Sequence, residues 1–112
     1  MHVTSERRDG VLWFSVSGRI TVLNATQFEE SVANAIEAGD RAVILDLENM
    51  VYISSAGLYA VLRIAKLMWQ RDAAFVLCSL SSAVRLVFER IGFTSIMSIH
   101  STRAEALASL ED

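Results

Sequence analysis

Two adjacent hydroxyls, Ser54 and Ser55, stand where an apolar, extended stretch gives way to helical spacing, and the small pair Ala56-Gly57 follows them. A serine at a helix N-terminus accepts a bond from an otherwise unpaired backbone N–H, so one of the two is expected to cap the helix. One cap needs one serine. The other hydroxyl is then free and directed to solvent, a position suited to phosphorylation. Helix N-terminal amides and the macrodipole stabilise a nearby dianion by about 0.3–2 kcal/mol, so the modification leaves the fold intact. Ala56 and Gly57 are read as leaving the helix entrance open to another protein.

The remaining reactive side chains fit poorly with catalysis. His2 and His100 lie near opposite ends of the chain and share no ligand or triad spacing. Cys78 sits between Leu77 and Leu80 and reads as a small buried hydrophobe. Asp46 and Glu48, spaced i, i+2 at a strand end, could hold Mg²⁺ in principle but read as solvated turn residues. The loop before the central helix has no phosphate-binding lysine, which argues against a nucleotide P-loop. No catalytic residue, metal site or cofactor is expected.

The elements that must position the serines follow from patterning. Val3 to Arg7 and Val11 to Ser17 flank Asp9-Gly10, a hairpin signal, with Leu12, Phe14 and Val16 on the core face and Trp13, Ser15 and Ser17 on the other. Asn24 with Gln27 three residues on reads as a capping box for a helix carrying Ala25, Phe28, Val32, Ala35 and Ile36 on its apolar stripe. Ala42 to Leu45 is a buried strand, and a polar bend from Asp46 to Asn49 leads to Val51-Tyr52-Ile53, expected to anchor a loop to the core. In the central helix Leu58, Val61, Leu62, Ala65, Leu67 and Met68 share a face. Ala73 to Cys78 is a further strand after an Arg71-Asp72 turn. Ser81 or Ser82 caps a helix with Val84, Val87, Phe88 and Ile91 inward, and Gly92 stops it. Ile96 to Ile99 reads as an edge strand, and Thr102 caps a last helix carrying Ala106, Leu107 and Leu110.

Strands alternating with helices after an opening hairpin predict a single α/β domain over residues 1–112. Its mixed sheet has four to five strands, with about four helices mainly on one face. Hydrophobic residues make up 53% of the chain, and the net charge of −3 gives no electrostatic footprint for nucleic acid. No apolar run is long enough to cross a bilayer, no secretory signal is visible, and the single cysteine suits a reducing compartment, so a cytoplasmic location is expected.

Tyr52-Ile53-Ser54-Ser55-Ala56-Gly57-Leu58, after the strand Val43-Ile44-Leu45-Asp46-Leu47, resembles the signature of STAS domains, specifically the stand-alone anti-sigma factor antagonists of bacteria. Gly18-Arg19-Ile20 with Ala25, Leu80 through Val84-Arg85, Ile91-Gly92-Phe93 and Glu105-Ala106-Leu107 are similar to further parts of the family pattern, in order. The resemblance implies partner switching. An unmodified antagonist binds an anti-sigma factor or related histidine-kinase-like serine kinase and frees its target. Phosphorylation ends the binding, and a PP2C-type serine phosphatase resets the system.

The family's acceptor serine corresponds to Ser55, with Ser54 as second choice, because Ser54 stands where many members carry Asp. Thr21 stands where members commonly carry an acidic residue. The implied partner surface comprises Thr21, Val22, Leu23 and Asn24, then Ser54, Ser55, Ala56, Gly57 and Leu58, and finally Tyr59, Arg63 and Lys66. The resemblance also admits another role, as the STAS subunit bracing a membrane transporter complex. Nucleotide binding by the domain itself is a third reading.

Overall fold

A computed structural model describes residues 1–111 of the chain. Strands β1 (His2–Arg8) and β2 (Val11–Ile20) form the opening hairpin, paired from His2↔Ser17 to Arg8↔Val11. Asp9 and Gly10 turn it with φ of 54° and 75°, the left-handed pair that matches the twist of a two-residue hairpin. Helix α1 (Ala25–Ala35) returns the chain to β3 (Ala42–Asp46), and β4 (Met50–Ile53) follows after a short turn. Helix α2 (Ser55–Trp69), β5 (Ala74–Cys78), α3 (Ser82–Arg90), β6 (Ser98–His100) and α4 (Arg103–Ala108) complete the order.

The sheet runs β1-β2-β3-β5-β6, with β2, β3, β5 and β6 parallel and β1 antiparallel at one edge. Each parallel strand is added on the same side of the last. Right-handed crossovers therefore place α1, α2 and α3 on one face. The main core lies there, built from Leu12, Phe14, Val43, Leu45, Phe75 and Leu77 of the sheet against Phe28, Val61, Ile64 and Phe88 of the helices.

Several expectations are corrected. The sheet has six strands, because Met50–Ile53 pairs with the end of β2 as β4 instead of forming an anchored loop. Within it only Met50 and Ile53 are buried, while Val51 and Tyr52 are both exposed: the pairing passes from Gly18↔Met50 to Arg19↔Tyr52, so Val51 is the extra residue of a bulge and simple alternation is broken there. Trp13 points to the face opposite Leu12, Phe14 and Val16, as the alternation predicts. It is buried with Val11, Ala42, Ile44, Val76 and Cys78 on the second face, which α4 covers through Ala106.

Asn24 makes no side-chain cap for α1; its amide turns back to accept the Thr21 N–H at 2.8 Å and to donate to the Arg19 carbonyl at 3.0 Å. Leu67 and Ile91, assigned to apolar faces, are exposed, and so is Leu107 of the last helix. The expected edge strand begins later, at Ser98, because a 3₁₀ turn at Phe93–Ser95 first carries the chain away from α3. Thr102 caps α4 as the spacing predicts, accepting the Glu105 N–H at 3.0 Å, and of the two serines expected at the start of α3 it is Ser81 that caps, accepting the Val84 N–H at 3.3 Å.

Candidate functional site

The junction of β4 and α2 lies at the rim formed by the C-terminal ends of the strands. Ser54 has extended backbone (φ −81°, ψ 169°), and its Oγ accepts the Gly57 N–H at 3.1 Å, so Ser54 is the helix cap. Its own N–H donates to the Ile20 carbonyl at 2.8 Å, which ties the entrance of α2 to the exit of β2. Ser54 is half-buried in consequence, and Ser55 is exposed at the first position of the helix. The two serines thus divide the roles that their types allow: one satisfies backbone, and the other faces solvent.

The tie to Ile20 brings the Thr21–Asn24 turn beside Ser54 and Ser55. Thr21 and Asn24 close that turn from within, because the Thr21 hydroxyl accepts the Leu23 N–H at 3.2 Å and Asn24 binds on both sides of it. Both are half-buried. The two apolar residues between them project outward, Val22 at 74% and Leu23 at 93% exposure. An uncharged, internally braced turn therefore holds an apolar tip next to an exposed hydroxyl.

Gly57 and Leu58 do not belong to that surface. Both are buried. A Cβ on Gly57 would sit 2.7 Å from Ile53 Cγ1 and 2.8 Å from Ile20 Cγ2. The glycine lets α2 lie directly on β2 and β4; it opens nothing to an incoming protein. Ala56 is half-buried, and Tyr59 is exposed one turn up the helix. Lys66 is exposed. Arg63 is engaged: its Nη2 lies 2.7 Å from Glu29 Oε1 on α1, and that hydrogen-bonded carboxylate raises the Arg63 pKa further. Glu29 thus joins the same face, a residue that its position on the wet side of α1 could not by itself connect to α2.

The other reactive side chains lie elsewhere. Asp46 is not a free turn carboxylate, because Arg103 Nε donates to it at 2.7 Å and it accepts the Glu48 N–H at 3.0 Å. His100 is hydrogen-bonded to Ser98 Oγ at 2.9 Å, and His2 is exposed on the edge strand. Burial pushes the Cys78 thiol up, away from thiolate chemistry. No described helix is long and apolar enough to cross a membrane.

The family model described as STAS domain matches residues 2–106. BtrV of Bordetella bronchiseptica, whose name marks it as a candidate anti-sigma factor antagonist, is 40% identical over 111 residues, covering 99% of this chain and 96% of BtrV. The crystal structure of a candidate anti-sigma factor antagonist from Thermotoga maritima is similar with a TM-score of 0.92 at 22% identity, over 98% of this chain and 95% of that one. The Bacillus cell fate determinant SpoIIAA, solved in its phosphorylated form, gives a TM-score of 0.74 at 20% identity, over 98% and 100% of the two chains. The two structures establish the fold, and the family match together with BtrV establishes the kinship: this chain belongs to the STAS domain family, among relatives named anti-sigma factor antagonists.

Proposed function

We propose that this protein is a cytoplasmic anti-sigma factor antagonist that works by partner switching, with Ser55 as the switch. In the unmodified state the rim made by Thr21–Asn24, Ser55 and Tyr59 docks on an anti-sigma factor that is also a histidine-kinase-like serine kinase, and its target is released. Phosphorylation of Ser55 ends the docking, and a PP2C-type serine phosphatase restores it. The observation that carries this reading is the division of labour between the serines. Ser54 is committed to Gly57, and Ser55 stands exposed beside the apolar Val22-Leu23 tip. That SpoIIAA is known in a phosphorylated form supports the same chemistry.

The magnitudes favour a switch at the interface over a switch in the fold. Phosphate adds about −1.5 to −2 charge. On the free domain it meets water and the N-terminal amides of a fifteen-residue helix with no acidic residue in its first turn. In the docked state it lies among desolvated apolar groups, where an unpaired charge costs several kcal/mol. A penalty of about 3–4 kcal/mol weakens docking hundreds-fold.

Incubation with the candidate kinase and ATP, followed by mass spectrometry, tests the reading. Phosphate is expected on Ser55 in the native chain, and none at that position in Ser55→Ala, which still docks. Ser55→Asp is expected to lose affinity hundreds-fold with little change in melting temperature. Normal phosphate uptake by Ser55→Ala would move the site to Ser54. No uptake at either serine would favour the brace role in a transporter complex.

A further inference from the structure

We infer that α4 is a detachable strap, a helix that lifts as a unit from the second face of an otherwise intact domain and uncovers the apolar floor beneath it. The two faces of the sheet are covered very unequally. On the first, α2 alone buries seven residues, from Gly57 to Met68. On the second, a floor that includes Val11, Trp13, Ile44 and Cys78 is covered by a six-residue helix whose one fully buried residue is Ala106, with Leu110 half-buried beyond it. A segment with so few apolar contacts belongs to the low end of the range of local opening energies.

What holds α4 down is largely one side chain. Arg103 donates from Nε to Asp46 Oδ2 at 2.7 Å and from Nη2 to Ser15 Oγ at 3.2 Å, and its guanidinium lies 5.0 Å from the centre of the Trp13 ring. Glu6 is at the edge of ion-pair range, 4.0 Å from Nη1. By contrast, the helix satisfies its own ends. Thr102 caps it, Glu105 accepts the Ser101 N–H at 3.2 Å, and Ser109 Oγ donates to the Ala106 carbonyl. These bonds travel with the segment. Lifting it therefore breaks the Arg103 clasp and the Ala106 and Leu110 contacts, while the β5–β6 pairing up to His100 serves as the hinge.

The floor carries its own reporter. Cys78 is the sole cysteine, fully buried in the cluster that α4 covers. Reaction of the native chain with an aromatic disulfide reagent, followed across low urea concentrations, reads the opening. The expected result is a labelling rate nearly independent of urea well below the unfolding transition, and a rate roughly tenfold higher in Arg103→Ala. Amide hydrogen exchange under the same conditions should show Ala104–Leu110 exchanging while β3 and β5 stay protected.

Two results would overturn the inference. One is a labelling rate with the full urea dependence of global unfolding. The other is an Arg103→Ala effect no larger than its loss of global stability, with α4 amides as protected as those of β3.

Discussion

The Ser54 hydroxyl accepts the Gly57 N–H at 3.1 Å, and that bond assigns the two serines before any partner is considered. Ser54→Ala removes a helix cap and is expected to cost about 0.5–2 kcal/mol, lowering the melting temperature by several degrees while leaving Ser55 able to accept phosphate. Ser55→Ala removes no cap and should melt within about 2 °C of the native protein, in line with other exposed substitutions. Calorimetry on the two variants checks the contrast.

Gly57→Ala is expected to destabilise the domain although alanine is the better helix former. The gain in helix propensity is about 1 kcal/mol. Against it, the new methyl would meet Ile53 Cγ1 and Ile20 Cγ2 at 2.7 and 2.8 Å, and both isoleucines are buried and stiff at χ1. Overpacking of this kind costs about 1–3 kcal/mol. Urea denaturation should show a lower midpoint; a higher one would mean that α2 can shift outward freely.

Asp40 makes stability depend on acid. Its side chain is only 1% exposed, and Arg7 Nε and Nη2 donate to its two oxygens at 2.7 and 2.8 Å. The Glu37 N–H donates to it as well. Hydrogen bonds from Arg7 first, then that backbone bond, hold the Asp40 pKa below its ordinary value against the opposing effect of burial. A carboxyl with a lowered folded pKa contributes stability that is present above the unfolded value of about 3.9 and is lost as pH falls below it. Melting temperature should therefore drop as pH falls below about 4. Asp40→Asn should remove that part of the pH dependence and lower stability at pH 7 by about 1.5–3 kcal/mol.

Leu23 separates binding from folding. At 93% exposure it contributes little to the core, so Leu23→Ala should leave the melting temperature unchanged. If the tip seats in an apolar pocket of the partner, the same variant should bind about tenfold or more weakly by calorimetry. Equal affinity for Leu23→Ala and the native chain would remove the turn from the proposed interface.

How legible these features were depended on how local their signals are. Asp9-Gly10, Gly92 and the cap Thr102 are read correctly, and the cap of α3 is narrowed to Ser81 or Ser82, because each acts through its own backbone within a few residues. Asn24 has the right type and spacing for a cap, but the tight turn before it offered better partners at Thr21 and Arg19. Trp13 shows a different limit. Alternation says which residues share a face, whereas what covers that face is decided by α4, ninety residues downstream.

Gly57 could have been placed from pattern alone, since Gly57, Ala60, Val61 and Ile64 all fall on one buried stripe of α2. The clasp between Arg103 and Asp46 had no sequence signal, because it joins residues far apart in the chain.

The bond from the Ser54 N–H to the Ile20 carbonyl ties the entrance of α2 to a strand of the main sheet, so the two sides of the rim are joined through backbone. Under the proposed switch the protein stores its state as a covalent mark on the rim. The lifetime of the signal is then set by the two enzymes that write and erase that mark.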